Sequence, residues 1–479
     1  MAFSSLGLNR TRWSPELLAI LLVYFVQGAL GLSQLAISFY FKDVLEVGPA
    51  QLAAFLGIAS IPWTIKPLYG WISDTYPIAN YRRRPYLLLS GIMGCLSWLV
   101  LATIATSVWT ATAAIVAGSM SIALADVIVD ALVVERTREE DRAGAGTLQS
   151  LSWGATALGS ILTAYWGGAL LDVVGPQTVF GVTSLLPLFV AASAIAIAED
   201  PVDSTSTSGD TDADNSVPQK TNTTNGLTQI KEVWAAIRTP SILLPTAFIC
   251  LWQATPSAES AFFYFATNDL GFGPEFLGRV RLATSVAALL GIGIFQKWLR
   301  DVPLRKILLW MTFISFGLGL TSLILITHTN RSWGIADEWF SLGDSVVLTV
   351  SGEIAFMPIL VLAARLCPPG IEATLFALLM SLLNLSGLLS RELGALLMQG
   401  LGVTETNFAA LGTLVIITNL TTLLPLPLIR WLPNDTAKGQ QDDTVIPTLT
   451  DLQQAEIIHN STQPDPNESI PINESDVAA

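Results

Sequence analysis

The residues of this chain with chemical potential stand inside apolar runs long enough to cross a bilayer, which takes about 20 residues as a helix. Asp126 and Asp130 lie four apart in the run from Ser121 to Val134, and helical spacing puts both on one face. Two carboxylates on one buried face repel each other, which suits a proton site. Such a pair can also accept the paired N–H donors of an aminopyrimidinone edge. Lys66 sits between Ile65 and Pro67. It either binds a substrate carboxylate or couples to a buried Asp, or else it snorkels to a nearby membrane surface. The bland alternative for the two aspartates is a salt bridge to Lys66 or to basic loops, and it favours Asp130.

Arg391 and Glu392 fall deep in the run 373–400. Neighbours in a helix do not face one direction, so they cannot cancel on a single surface. The planar fork of Arg391 suits bidentate capture of a carboxylate; the alternative is an ion pair between helices. Glu259 and Glu353 are further proton sites or pairing partners, and Gln27, Gln34 and Gln253 add uncharged donors and acceptors. Arg279 and Arg281, near one end of the run 274–297, read as interface or gate residues. Trp63, Trp252, Phe262, Phe263 and Tyr264 can stack on a flat ring, although aromatic side chains serve packing as readily. Stacking is expected of one or two at most.

The elements that must position these groups are long and apolar. The chain has 479 residues, 51% hydrophobic and only 13% charged, about half the charge of a soluble protein. Runs are continuous rather than alternating, so a strand-based barrel is excluded. The fold class expected is an all-α polytopic membrane protein. Twelve spans are predicted: 15–40, 50–72, 87–107, 109–134, 147–171, 177–198, 241–267, 274–297, 307–327, 344–365, 373–400 and 406–431. The net charge of −14 lies almost wholly outside them. Residues 199–240 carry seven acidic against three basic residues, and those from 433 on carry nine against one. Both stretches are polar and poor in core-forming residues, and read as a disordered linker and tail.

Lys and Arg collect on one side: Arg82, Arg83 and Arg84, Arg136, Arg138, Arg142, Lys297, Arg300, Arg305, Lys306 and Arg430. The other side has Lys42 and Arg331. The bias predicts cytoplasmic termini and linker, hence an even helix count. Only His328 and His459 are present, and Cys95, Cys250 and Cys367 are scattered. No metal site, disulfide framework or cofactor is expected, and nothing suggests nucleic-acid binding. HExxH, GxSxG and phosphate-loop patterns are missing from the spans, so an enzyme is not expected.

The two parts of the chain repeat each other. Trp71–Asp74 and Trp298–Asp301 stand 227 residues apart, as do Thr147 and Thr374, and Gly167 and Gly394. Gln27 pairs with Gln253 at an offset of 226. The expected organisation is therefore a six-helix half over 1–199, a linker over 200–240, a second half over 241–432, and a tail over 433–479. Two parallel six-helix repeats with a central linker resemble the major facilitator superfamily, whose site lies between the halves. The stretch Gly70-Trp-Ile-Ser-Asp74 followed by Arg82, Arg83 and Arg84 is similar to that superfamily's gate loop, with Thr75–Tyr81 intervening. Asp74, Arg82, Arg83, Arg84, Glu135 and Arg136 are accordingly gating candidates, the arginines serving equally as orientation signals.

Three stretches are more specific: Tyr24–Ser33, Ile61–Asp74 (IPWTIKPLYGWISD) and Ala125–Arg136 (ADVIVDALVVER). They resemble the folate–biopterin transporter family, known from cyanobacteria, plastids and trypanosomatid protozoa, over about residues 15–431. The resemblance implies a secondary transporter for folates or pterins with protons as partners, in a membrane of the bacterial, cyanobacterial type. A monomer is the expected state. The site expected from residues and resemblance together comprises Lys66, Asp126, Asp130, Arg391, Gln34, Gln253, Trp63 and Trp252 for substrate. Asp126, Asp130, Glu259 and Glu353 would serve the proton. The competing readings are a carrier of the same fold for another organic anion or sugar, and a non-transporting receptor or scaffold. Buried charges on several helices argue against a scaffold, which has no need of them.

Overall fold

The computed structural model describes residues 14–139, 142–199, 201, 237–366 and 372–433, without the side chains of 134–139, 142–150, 364, 365 and 372–374. The tail, nearly all of the linker, and Cys367 and His459 lie outside the described residues. Among the described residues there is no strand, only an isolated bridge between Ile78 and Tyr81.

The membrane-spanning segments are labelled in chain order: α1 (Pro15–Val44), α2 (49–75), α3 (Arg84–Thr103), α4 (Val108–Glu139), α5 (142–174), α6 (176–193), α7 (240–268), α8 (Pro274–Leu299), α9 (Leu304–Ile326), α10 (Asp337–Arg365), α11 (Glu372–Leu401) and α12 (Leu411–Trp431). Nine stretches among the described residues are long and apolar enough to cross a membrane. The twelve expected from sequence follow when the stretch Leu151–Ser193 is divided at Gly175 and the broken segments α2 and α7 are each counted once. That division has a physical cause. Gly175 has φ +77° and ψ 168°, a region open essentially to glycine, and Pro176 behind it disfavours helix at the residue before.

Several ends differ from the expected ones. α10 starts at Asp337 instead of 344, because Asp337 and Glu338 occupy its first turn, where carboxylates favour the helix dipole. Asp337 is also ion-paired with Arg331 at 2.7 Å. α1 starts where Ser14 Oγ accepts the Leu17 N–H at 3.1 Å with Pro15 in the first turn, a combination that favours helix initiation.

Prolines break α2 and α7. α2 is interrupted at Ser60 and Ile65. Pro67 lacks the N–H that would meet the Trp63 carbonyl one turn earlier. Asn384 Nδ2 of α11 donates to that carbonyl at 3.1 Å instead. In α7 the interruption spans Ala254–Ala258. Thr255 Oγ1 donates to the Trp252 carbonyl that Pro256 leaves free, at 3.3 Å, and Ser257 N–H donates to the Ser390 carbonyl of α11 at 3.1 Å.

The internal repeat is visible in the packing. A Cβ on Gly167 would stand 2.8 Å from the Leu32 carbonyl oxygen of α1, within its 3-10 turn Leu30–Ser33. Gly394, at the 227-residue offset, meets the backbone of Ser257 in the break of α7 in the same way. The first half meets the second where α2 lies on α11 and α5 on α8. At the latter crossing, Gly168 and Gly278 touch backbone to backbone: a Cβ on Gly168 would be 2.7 Å from the Gly278 Cα. Large apolar side chains such as Trp109, Trp153, Trp166, Trp310 and Trp339 remain exposed around the outside, as a lipid-facing surface requires.

Candidate functional site

The ionic centre of the first half joins three helices. Lys66 Nζ pairs with Asp126 Oδ2, with side chains 17% and 13% exposed. The same ammonium stands 4.8 Å from the centre of the Trp63 ring, within cation–π range. Tyr24 Oη of α1 donates to Asp130 Oδ1 at 2.5 Å. Asp130 itself stays exposed, although Ile128 and Val129 beside it are fully buried. The two aspartates on one face of α4 are thus distinguished by their partners. Asp126 has a cation, and Asp130 has a phenol and access. Lys66 is committed to Asp126, so the salt-bridge alternative falls on that residue and not on Asp130.

Sequence reasoning gave Tyr24 no role and took Gln27 only as an uncharged donor and acceptor. Gln27 follows Tyr24 by three positions, on the same side of α1, and its Nε2 is buried without a hydrogen-bond partner among the described residues. An unmet buried donor costs stability, which makes this amide a candidate for a ligand contact.

The second half contributes a looser set. Arg391 is half-buried and has no ion-pair or hydrogen-bond partner among the described residues. On α11, Ser390 and Gly394 face α7, while Asn384 and Glu392 face α2. Successive residues turn by about 100°, so Arg391 falls in the sector between those two helices. Gln253 Nε2 lies on the α11 side of α7, 3.9 Å from where a Gly387 Cβ would stand. Glu259 begins the second piece of α7 with its carboxylate exposed. Gln34 accepts a hydrogen bond from Arg281 Nη2 of α8, a contact between halves, and Glu259 acts electrostatically on the same guanidinium.

Other predicted residues are not gathered there. Glu353 packs against Gly291, its Cβ 2.8 Å from where a glycine Cβ would stand, between α10 and α8. Trp252 packs among Phe248, Ile249, Phe295 and Ile307. Tyr264 is 1% exposed and donates to the Val47 carbonyl, and Phe263 meets Phe39 edge-on at 5.2 Å. Arg279 is paired with Glu275 on the outside of α8 at 2.6 Å.

The loop between α2 and α3 closes on itself. Asp74 pairs with Arg83 at 2.8 Å. The backbone N–H groups of Arg82, Arg83 and Arg84 donate to the Glu199 carboxylate at 2.5–3.1 Å, which caps α3 with an anion. Arg84 Nε donates to the Ala194 carbonyl at 3.1 Å. Glu135 and Arg136 belong to α4, but their side chains lie outside the described residues.

Helices in two related sets, with charged groups held between them, have the architecture of major facilitator transporters. The chain superposes on a D-xylose–proton symporter with TM-score 0.63 at 14% identity, over 88% of this chain and 98% of that one. It superposes equally on the nucleoside transporter NupG, again with TM-score 0.63 and 14% identity, over 87% and 98%. At that identity the likeness concerns the fold.

The chain belongs to the BT1 family, whose profile matches residues 27–447. It is 57% identical over 425 residues to a folate-biopterin transporter of Synechocystis sp., covering 89% of this chain and 83% of that protein. It is 29% identical over 418 residues to folate transporter 2 of Plasmodium falciparum, covering 87% and 88%. The chain is an integral membrane protein of a transporter family, not an enzyme.

Proposed function

We propose that this protein carries folates or pterins across a membrane by alternating access of a site between its halves, driven by protons. The observation that carries the reading is the Lys66–Asp126 pair with Asp130 and Tyr24 beside it. Asp130, acceptor-rich and accessible, meets the N–H donors of an aminopyrimidinone edge, and Gln27 offers a donor to its carbonyl. Trp63 presents a flat face one turn from Lys66. Protonation of Asp126 releases Lys66, so that proton and substrate occupancy are linked through one ion pair. Arg391 takes a carboxylate of the substrate. The names of the relatives point to the same substrates.

The remaining assignments belong to this reading. Residues 1–199 and 241–432 are the two halves, and 200–240 and 433–479 are a linker and tail in the cytoplasm with both termini. The Asp74–Arg83 loop then faces the cytoplasm as part of the gate, with Glu135 and Arg136, and the protein works as a monomer in a bacterial inner membrane. Uptake of labelled folate and biopterin into vesicles, with and without an inward proton gradient, tests the function. Absence of uptake of either by correctly inserted protein removes the reading in favour of another organic anion or a sugar.

A further inference from the structure

Arg281 stands seven residues into α8 from Pro274, at the end away from the Asp74–Arg83 loop. Helical rise puts it about 10 Å below that end. Gln34 lies ten residues from the same end of α1, and Glu259 nine residues from that of α7, so both lie about 13–15 Å deep. Two positions away, Arg279 is exposed and neutralised by Glu275. Arg281 has no such partner. Residues two apart on a helix face different sides, and here only the outward arginine has a counterion within ion-pair distance among the described residues. The inward one has the side-chain oxygen of Gln34, and Glu259 acts on it only through space.

An amide oxygen occupies one of five guanidinium donors and cancels none of the charge. A cation at this depth is expensive, and in membrane helices such groups pair or serve transport. Thr163 Oγ1 lies on the same small opening as the Arg281 guanidinium: from a Cβ on Gly31 they would stand at 3.5 and 3.6 Å.

We propose that Arg281 is a specificity-determining residue: its guanidinium binds a carboxylate of the substrate's tail, which displaces the Gln34 amide. The proposal rests on the folate–pterin reading. Lys66 lies 17 residues from Pro49 and Asp126 lies 18 from Val108, about 25 Å from the same end of their helices. The two polar clusters are therefore about 10–15 Å apart along the helix axes. A substrate with an aminopyrimidinone ring at one end and a glutamyl tail at the other has complementary groups for both. The Arg281 fork donates two parallel hydrogen bonds to a carboxylate, where it donates one to Gln34. A pterin without the tail leaves Arg281 on Gln34 and binds through the deep cluster alone.

The test measures binding of folic acid and of biopterin to the purified full-length protein by titration calorimetry. Arg281→Gln should weaken folic acid about ten- to a hundredfold, the value of a charged hydrogen-bonded pair, and change biopterin by less than about twofold. Gln34→Glu keeps the arginine but gives it a permanent carboxylate, and should shift the same ratio in the same direction. If both ligands weaken equally in Arg281→Gln, or folic acid is unaffected, the proposal is overturned. Should Arg281→Gln fail to fold, Gln34→Glu decides: an unchanged folic acid to biopterin ratio overturns it. A wild-type protein that binds neither ligand overturns the functional reading and this proposal with it. Wild-type binding of both with unselective variants removes this proposal alone.

Discussion

Lys66 of α2 and Asp126 of α4, sixty residues apart in sequence, form an ion pair between helices, and Trp63 holds the lysine from a second side. The pair is mostly shielded, so each charge depends on the other. Lys66→Ala should cost about 3–5 kcal/mol, because it strands a carboxylate. Lys66→Ala combined with Asp126→Ala should recover part of that loss. Thermal unfolding of the purified variants in detergent measures the coupling, and additive losses would deny it.

Asp126→Asn imitates the protonated carboxyl. Net accumulation driven by a proton gradient should collapse in this variant, while counterflow of preloaded substrate persists. Both assays use protein whose surface expression matches wild type. If pH-driven accumulation is intact, Asp126 is not the coupling site, and Asp130 is examined next.

Asn384 repairs the backbone that Pro67 opens, so Asn384→Ala leaves the Trp63 carbonyl without its donor. A loss of about 1–3 kcal/mol is expected for an unmet buried acceptor. Asn384→Ala with Pro67→Ala restores a helical N–H and should regain stability. A double variant less stable than the single one contradicts this account.

Gly278→Val should abolish transport or folding, since a side chain there meets the α5 backbone at Gly168. Gly181→Val in α6, where nothing lies within 4 Å, should leave both unchanged. Fluorescence-detected size exclusion followed by uptake separates the two outcomes, and equal behaviour of the variants would refute the packing argument.

The orientation is tested by a single cysteine at Asn215 in an otherwise cysteine-free chain. Impermeant maleimide should label it only after the membrane is opened. Labelling of intact cells would invert the topology.

Much of this architecture was legible beforehand because bilayer thickness imposes long apolar runs, and because the 227-residue offset recurs in separate loops. Gly167 and Gly394 carried that offset into three dimensions, each against the irregular turn of its own half. Pairing was not legible. Which aspartate meets Lys66 depends on the rotation of α4 against α2, and i, i+4 spacing says only that both share a face. Arg279 and Arg281 look alike in sequence. Their partners differ because two positions turn a side chain to the other side of α8, one beside Glu275 and one toward Gln34. Trp252 and Glu353 stand apart from the Lys66–Asp126 cluster for a similar reason, since an aromatic or a carboxylate in a span packs between helices as easily as it faces a cavity.

The crossing of α5 and α8 bears on which substitutions the chain can accept. Gly168 and Gly278 meet with no side chain between them, so the contact presents no interlocking ridges. The same smoothness offers nothing to grip, and register is held by contacts elsewhere, such as Asn384 of α11 on the Trp63 carbonyl of α2. With no room for a side chain on either helix, these two glycines should be among the least forgiving positions in the chain.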